Sequence, residues 1–432
     1  MPVDVSVSLL ASQAQDVEAF GGDGSPDRLT DTVHDRLQSE VLGGAEVPGY
    51  LFAVLSRCDQ HIAVERRVLV QERNCVFVLV DQYMRKLGIA CDELADKATP
   101  FEVTPYPFEV HTPPSHVISL SFMERRRLSG TDLQITPVGV GTAPIGSGRD
   151  WPTWWGPQDQ RESVRTIHTA LELGVNWIDT APFYGWGRAE EIVGRALRGR
   201  AGDDVLVFTK CGTLPDEERG DRMDLRPEMI RADLEVSLRR LQRESVDLLQ
   251  LHDVDRDTPI EESWGEVQRL IQEGKVRYGG ISNHPPAHVE RALTVGPVGA
   301  LQYQYSLLHR TAEAELLPLA SERGIGVLAW SPLAAGFLAD GFEPDRLDPD
   351  DFRRTHPFAE LDLSRLRACL GRIGEGKGRT AAQVALAWVL KGQAVTGTIV
   401  GVRTAQEARE LPGAADLRLD LAQLEEIEAS IP

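Results

Sequence analysis

The 432-residue sequence has no uninterrupted apolar run near the roughly 18 residues that a membrane-spanning helix needs, so no bilayer crossing is expected. The segment from Met1 to Phe20 carries no basic residue ahead of its short apolar run, which argues against a secretory leader. Cations are scarce: 46 Lys and Arg stand against 66 Asp and Glu, a net charge of −20. Such a field repels phosphate backbones and anionic lipid, and so excludes sequence-independent binding to nucleic acid or to a membrane surface. A single nucleotide cofactor is not excluded, because one bound phosphate needs only local donors such as a helix N-terminus and an arginine. Cysteine is sparse as well. Cys58, Cys75, Cys91, Cys211 and Cys369 are odd in number, widely spaced and without a CxxC pair or an accompanying His cluster. They read as reduced thiols in a cytoplasm, and no metal site is expected.

What is present is an ordinary globular composition, 42% hydrophobic and 26% charged, sufficient for a sizeable core. The length fits one barrel of about 250 to 300 residues plus an appendage. From Val138 onward, β-rich runs alternate with helical patterns roughly every thirty residues, the rhythm of repeated βα units with a parallel sheet. The expected strands are Val138–Gly141, Asn176–Asp179, Val205–Thr209, Val246–Leu251, Val276–Ile281, Ala300–Gln304, Gly326–Trp330 and Gly397–Val400. Helices are expected over Asp159–Leu173, Ala189–Leu197, Pro227–Leu241, Ile260–Gln272, Ala287–Leu293, Ala312–Glu322, Thr380–Leu390 and Ala405–Leu411. Glycines at Gly174, Gly274 and Gly324 supply stop signals. Eight strands define a (β/α)₈ TIM barrel over residues 126–432, class α/β. The turn residues between Arg127 and Leu133 predict an N-terminal β-hairpin capping the barrel's N-terminal end.

Residues 1–125 do not share this rhythm. The first fifty are acidic and rich in Gly, Ser and Asp, which is compatible with partial disorder. Helical periodicity over 49–87, a candidate strand at Val76–Val80 and a Pro- and Thr-rich linker at Thr99–Pro114 predict a small accessory or oligomerisation region.

In such a barrel the polar residues at the C-terminal ends of the strands face substrate. Asp179 ends the second strand, Tyr184 follows on its loop, Lys210 ends the third strand and His252 the fourth. Singly each has a bland reading: a buried core histidine, a solvated lysine tip, a packed loop tyrosine. On consecutive strand ends of one barrel, a carboxylate, a phenol, an ammonium and an imidazole converge on one mouth. That set suits carbonyl reduction. Hydride delivered to a carbonyl carbon leaves charge on oxygen, which Tyr184 can meet with a proton. Lys210 is expected to lower the tyrosine pKa, Asp179 to pair with the lysine, and His252 to orient the carbonyl oxygen.

Around these residues the sequence resembles the aldo-keto reductase family, in particular bacterial members related to the potassium-channel β-subunits. The matching stretches are Trp177-Ile178-Asp179-Thr180-Ala181-Pro182-Phe183-Tyr184-Gly185, Phe208-Thr209-Lys210-Cys211-Gly212 and Asp247-Leu248-Leu249-Gln250-Leu251-His252. Gly279-Gly280-Ile281-Ser282-Asn283, Tyr303-Gln304-Tyr305-Ser306-Leu307 and Ala329-Trp330-Ser331-Pro332-Leu333-Ala334-Ala335-Gly336 extend the match. The resemblance implies that Tyr184 is the general acid, tuned by Lys210 and Asp179, with His252 orienting the substrate. It implies that Ser282, Asn283 and Gln304 bond the nicotinamide carboxamide, that Trp330 stacks on its ring, and that Ser331, Leu333 and Gly336 line the pyrophosphate. The stretch from Gly401 to Leu411 resembles the family's adenosine-phosphate loop and helix, with Arg403 suited to a 2′-phosphate. Two departures stand out: Glu407 where relatives often carry a neutral or basic side chain, and Leu411 where an asparagine commonly meets adenine. The expected cofactor is NADPH, with NADH the alternative that Glu407 favours as a partner for a ribose hydroxyl. Trp151, Trp154, Trp155, Phe183 and Trp186 are the expected substrate-pocket wall.

The expected activity is therefore NAD(P)H-dependent reduction of an aldehyde, ketone or keto-sugar, a small-molecule carbonyl. The competing reading is a regulatory or scaffolding subunit that binds cofactor as a sensor and docks a protein partner, or a second copy of itself, through residues 1–125.

Overall fold

Each β-rich run is short and apolar on both faces, so it needs strand neighbours on either side and helices outside. The computed structural model describes residues 123–200, 204–216, 220–392 and 394–432; the expectations for residues 1–122 lie outside the described residues. At the start, β1 (Arg126–Arg127) and β2 (Gln134–Ile135) form the antiparallel hairpin. Then come β3 (Val138–Gly141), β4 (Trp177–Asp179) and β5 (Leu206–Cys211). A second hairpin, β6 (Thr213–Asp216) and β7 (Gly220–Met223), follows immediately. The remaining strands are β8 (Val246–Leu251), β9 (Val276–Ser282), β10 (Ala300–Gln304), β11 (Gly326–Trp330) and β12 (Val395–Gly401). Strands β3, β4, β5, β8, β9, β10, β11 and β12 pair in parallel in that order and close on themselves, with β12 back against β3. This is a (β/α)₈ barrel.

The lower half of the barrel interior is filled by one cluster: Leu128, Leu133 and Ile135 from the hairpin, with Trp177, Leu206, Phe208, Leu248, Leu328 and Ile399. The hairpin therefore plugs the N-terminal end, where Ser129 O accepts from Gly326 N at 2.9 Å. Trp177 is the largest plug. Its indole N–H donates to Thr136 O (2.9 Å), and the ring lies 5.3 Å from Phe208. Glycine is needed opposite it: a Cβ on Gly139 would stand 2.2 Å from the Trp177 ring. The larger cluster lies between the sheet and the helices, including Trp264, Leu301, Val384 and Trp388.

Six strands keep both ends within one residue of expectation, while β5 runs on to Cys211, so that Lys210 lies inside the strand, and β12 starts at Val395. The helix expected over Ala312–Glu322 is split into a 3₁₀ turn at Thr311–Glu313 and a helix over Leu316–Arg323. Pro318 accounts for this, since proline is tolerated in a first turn but would break bonds in the interior of one continuous helix. The helix expected over Ala405–Leu411 stops at Ala408 and resumes over Pro412–Ala415. Two helices were not expected: Ser364–Lys377, and Leu421–Glu428, which a capping box between Asp420 and Gln423 starts. Among the described residues no helix is long and apolar enough to cross a membrane.

The Trp177 plug makes a stability prediction. Gly139→Ala should cost about 1–3 kcal/mol or more through overpacking of a filled layer, read as a lower urea midpoint. An unchanged midpoint would contradict the packing.

Candidate active site

Three strands and one loop place the reactive groups. Asp179 is the last residue of β4, Lys210 lies one residue before the end of β5, and Thr180 to Tyr184 follow β4 directly. Parallel register brings β4 and β5 side by side, and the long lysine stem crosses to its neighbour. Lys210 Nζ donates to Asp179 Oδ1, to Thr180 O (3.0 Å) and to the Tyr184 hydroxyl (3.0 Å). Both charged side chains are 1% exposed, so the ion pair is shielded from bulk solvent. The other carboxylate oxygen, Oδ2, accepts from Gln302 Nε2 (2.8 Å) and Gln250 Nε2 (3.2 Å), and Gln302 also donates to Gln250 Oε1 (2.9 Å). The two glutamines, on β10 and β8, were not singled out from the sequence. The signal was available as a polar residue in an apolar strand, as in Leu248-Leu249-Gln250-Leu251.

His252 follows β8, anchored by its N–H to Cys211 O (3.2 Å). Its ring stands 5.8 Å from both Tyr184 and Phe183, edge to face, and its Nδ1 is 3.0 Å from Thr213 Oγ1. The four residues expected to share one mouth are thus assembled there.

Lys210 acts on Tyr184 in the expected direction, pulling its pKa down, but it is not the largest influence: burial is the larger effect and the phenol ends above its ordinary value of 10.0. The hydroxyl is held protonated. Burial opposes the Lys210 ammonium too, yet Asp179 and Tyr184 outweigh it and its pKa is raised. Burial, reinforced by the Lys210 charge, holds the His252 imidazole well below its ordinary 6.5, so the ring is neutral. The mouth carries a charged lysine, a protonated phenol and a neutral imidazole.

The residues expected to hold a dinucleotide continue along the rim. Ser282 ends β9, and its Oγ is buried with no hydrogen-bond partner among the described residues. Asn283 adopts a left-handed conformation (φ 59°), donates to His252 O (3.2 Å) and accepts from the Trp330 indole N–H (3.0 Å). This fixes the Trp330 ring. Gln304 ends β10, in register with Trp330 on β11. Beyond Trp330, Ser331, Ala334 and Ala335 also have positive φ, and Ser331 Oγ accepts from Ala335 N (3.0 Å). The 3₁₀ turn Ala334–Gly336 begins after Leu333, and the nearest atom to a Cβ on Gly336 would be Arg353 Nη1 at 3.6 Å.

At the far end, Gly401 closes β12. The Arg403 guanidinium donates to Pro157 O (2.6 Å) and Gln158 Oε1 (3.2 Å), while Glu407 accepts from the Arg403 backbone N–H (2.7 Å). Burial and the neighbouring Arg353 guanidinium lower the Arg403 pKa. Arg353 was not identified from the sequence. It pairs with Asp351 (2.6 Å) and stacks over Trp155 (4.9 Å) and Phe342 (5.6 Å). Leu411 is buried in the core.

The aromatic residues divide. Trp151 packs on Phe183 (5.4 Å) and Tyr184 (6.2 Å), and Phe183 on Trp186 (5.4 Å), which gathers those three around the reactive groups. Trp154 and Trp155 turn to the segment after β11: Trp154 Nε1 donates to Asp348 (3.4 Å), and Trp155 packs on Phe352 (4.8 Å).

A (β/α)₈ barrel with a buried carboxylate and lysine beside a half-buried tyrosine and histidine at the C-terminal ends of its strands defines an oxidoreductase class. The Aldo/keto reductase family model matches residues 137–432. The chain is 34% identical to an uncharacterized oxidoreductase, YrpG, of Bacillus subtilis (strain 168), over 69% of this chain and 93% of that one. It is 32% identical to a probable aldo-keto reductase 1 of Glycine max, over 70% and 90%. Among solved structures, the glycerol dehydrogenase AKR11B4 of Gluconobacter oxydans matches with a TM-score of 0.64 and 34% identity, covering 71% of this chain and 94% of that one. The holo form of aldo-keto reductase AKR11C1 of Bacillus halodurans matches at 0.60 and 28%, over 72% and 97%. The chain belongs to the aldo/keto reductase family.

Two predictions follow from the buried charges. Asp179→Leu leaves Lys210 unpaired and should cost about 3–5 kcal/mol of unfolding free energy, much of it recovered when Lys210→Met is added; a double variant no more stable than the single one would contradict the pairing. His284, after β9, is buried and its pKa is pushed down to about 4 from 6.5. Unfolding releases it to take up a proton, so its contribution is intact above about pH 6.5 and is lost as pH falls toward 4. His284→Asn should therefore lose less stability than wild type between those pH values in parallel denaturant titrations, and equal slopes would refute this.

Proposed function

We propose that the protein reduces the carbonyl of an aldehyde, ketone or keto-sugar to the alcohol, with NADPH as cofactor and Tyr184 as the proton donor. The observation that carries this reading is the buried network in which Lys210 donates to the Tyr184 hydroxyl while Asp179 holds the lysine. When bound, the nicotinamide supplies the hydride that adds to the carbonyl carbon. The carbonyl oxygen then gains a bond to hydrogen from Tyr184, and the electron pair of the broken O–H bond stays on the phenolate oxygen. Lys210 offsets that charge through the hydrogen bond it already makes, so little reorganisation is required. His252, neutral and adjacent, orients the oxygen.

The residues present fit a dinucleotide. Ser282 Oγ, buried and unbonded among the described residues, is the kind of group that a carboxamide would satisfy. Trp330 offers a ring held by Asn283. Ser331, Leu333 and Gly336 lie on a turn with consecutive positive-φ residues, where backbone can approach a pyrophosphate. Burial and the Arg353 guanidinium act against the charge of Arg403, while Glu407 and Asp351 favour it; a 2′-phosphate would add to that support, which is in keeping with NADPH. Glu407 bonds the Arg403 backbone, which uses part of the capacity that would otherwise favour NADH.

Trp151, Phe183 and Trp186 form the apolar wall of the proposed substrate pocket. The Trp151 indole N–H, buried without an acceptor among the described residues, favours a substrate that carries a further oxygen. The likeness to a glycerol dehydrogenase supports small hydroxy-carbonyls within that class. We assign Trp154 and Trp155 to the periphery of this pocket through the segment that they anchor.

Two measurements test this. Tyr184→Phe should reduce kcat for carbonyl reduction by about 10²–10⁴-fold while NADPH still binds; undiminished turnover would reject Tyr184 as the acid. Arg403→Ala should raise KM for NADPH by about tenfold, as loss of a charge-assisted hydrogen bond implies, with a smaller effect for NADH. Equal effects on both would reject a 2′-phosphate contact.

A further inference from the structure

The hairpin β6–β7 has no role in the chemistry so far, yet its first residue touches it. At Gly212 the chain leaves β5 with φ +97°, and a Cβ there would stand 2.2 Å from Leu225. The Gly212 N–H is held by Asp233 Oδ2 (2.8 Å). This turn brings the buried Thr213 to the His252 ring, Oγ1 to Nδ1 at 3.0 Å. Thr213 is also the cross-strand partner of Met223, whose Sδ is 3.4 Å from the same oxygen.

We propose that Thr213 is a positioning residue that fixes the tautomer of His252, donating its hydroxyl proton to Nδ1 and thereby leaving the ring proton on Nε2. This rests on the reductase reading of the site. The threonine hydroxyl has one proton and two candidate acceptors. A thioether sulfur accepts weakly, whereas an imidazole lone pair accepts well, so the bond to Nδ1 wins and Met223 serves as packing. The choice governs chemistry because a neutral imidazole can donate from only one nitrogen. With the proton on Nε2, His252 offers a donor to a carbonyl oxygen. With the proton on Nδ1, the lone pair on Nε2 would meet the lone pairs of that oxygen and repel it. The edges of Phe183 and Tyr184 confine the ring, so it cannot answer by turning freely.

The test uses the full-length protein with ¹⁵N-labelled histidine, with and without NADPH, and the variants Thr213→Val and Thr213→Ser. ¹⁵N shifts of His252, assigned with a His252→Gln variant, should show protonation at Nε2 in wild type and a shift toward Nδ1 in Thr213→Val. That variant should lose about 10–100-fold in kcat, the size seen when a partner that fixes an imidazole is removed, with NADPH binding retained. Thr213→Ser, which keeps the hydroxyl, should restore most of the rate. A wild-type spectrum with Nδ1 protonated, or an undiminished kcat in Thr213→Val, would overturn the proposal. A wild type that turns over no carbonyl would instead sink the reductase reading, and the spectrum still decides the tautomer.

Discussion

The buried ion pair between Lys210 and Asp179 is the constraint on which the rest of the site depends. Two charges removed from water are costly, and their attraction repays the cost only when the remaining lone pairs and protons are also bonded. Here they are. The lysine spends its donors on Asp179, Thr180 O and Tyr184, and the second carboxylate oxygen takes one bond each from Gln250 and Gln302. These contacts tie β4, β5, β8 and β10 together across the barrel interior, so the reactive geometry and the closure of the sheet support each other. A lysine fixed in this way keeps its charge next to a phenol whose own burial keeps it protonated.

The architecture divides the work by height. At the N-terminal end the hairpin and Trp177 fill the barrel with apolar side chains, which leaves that half to stability. At the other end polar side chains replace them, and the loops supply what varies: aromatic rings after β3 and β4, a hairpin after β5, and the segment after β11 with Arg353. The cofactor rim proposed here is built from backbone as much as from side chains, through positive-φ residues at Asn283, Ser331, Ala334 and Ala335.

Much of this was legible in the sequence, for identifiable reasons. Parallel strands buried on both faces leave short β-rich runs at regular spacing, and a charged residue ending such a run, as at Asp179 or Lys210, is conspicuous. The glutamines were less so, because Gln250 stands alone in an apolar run and Gln302 sits two residues before the more conspicuous Gln304, and both acquire meaning only when closure of the barrel points them at one carboxylate. Thr213 gave no signal, since its role depends on the turn at Gly212 and on a hairpin that local pattern did not announce. The split at Pro318 and the capping box at Asp420 were readable by ordinary rules, and their effects fall on the periphery. At Tyr184 the sequence shows the charge that lowers its pKa but not the desolvation that outweighs it. The five pocket aromatics looked equivalent in sequence, whereas packing sends Trp154 and Trp155 toward Asp348 and Phe352.

The central claim is that this mouth performs hydride transfer and does more than bind a nucleotide. It is tested most directly by incubating the protein with NADPH deuterated at the transferable C4 position and a panel of short aldehydes, hydroxyketones and keto-sugars, then analysing products by mass spectrometry. The account predicts an alcohol with one deuterium on the former carbonyl carbon and none on oxygen after exchange. Tight binding of the labelled cofactor with no deuterium in any product would contradict it and turn the reading toward a cofactor sensor.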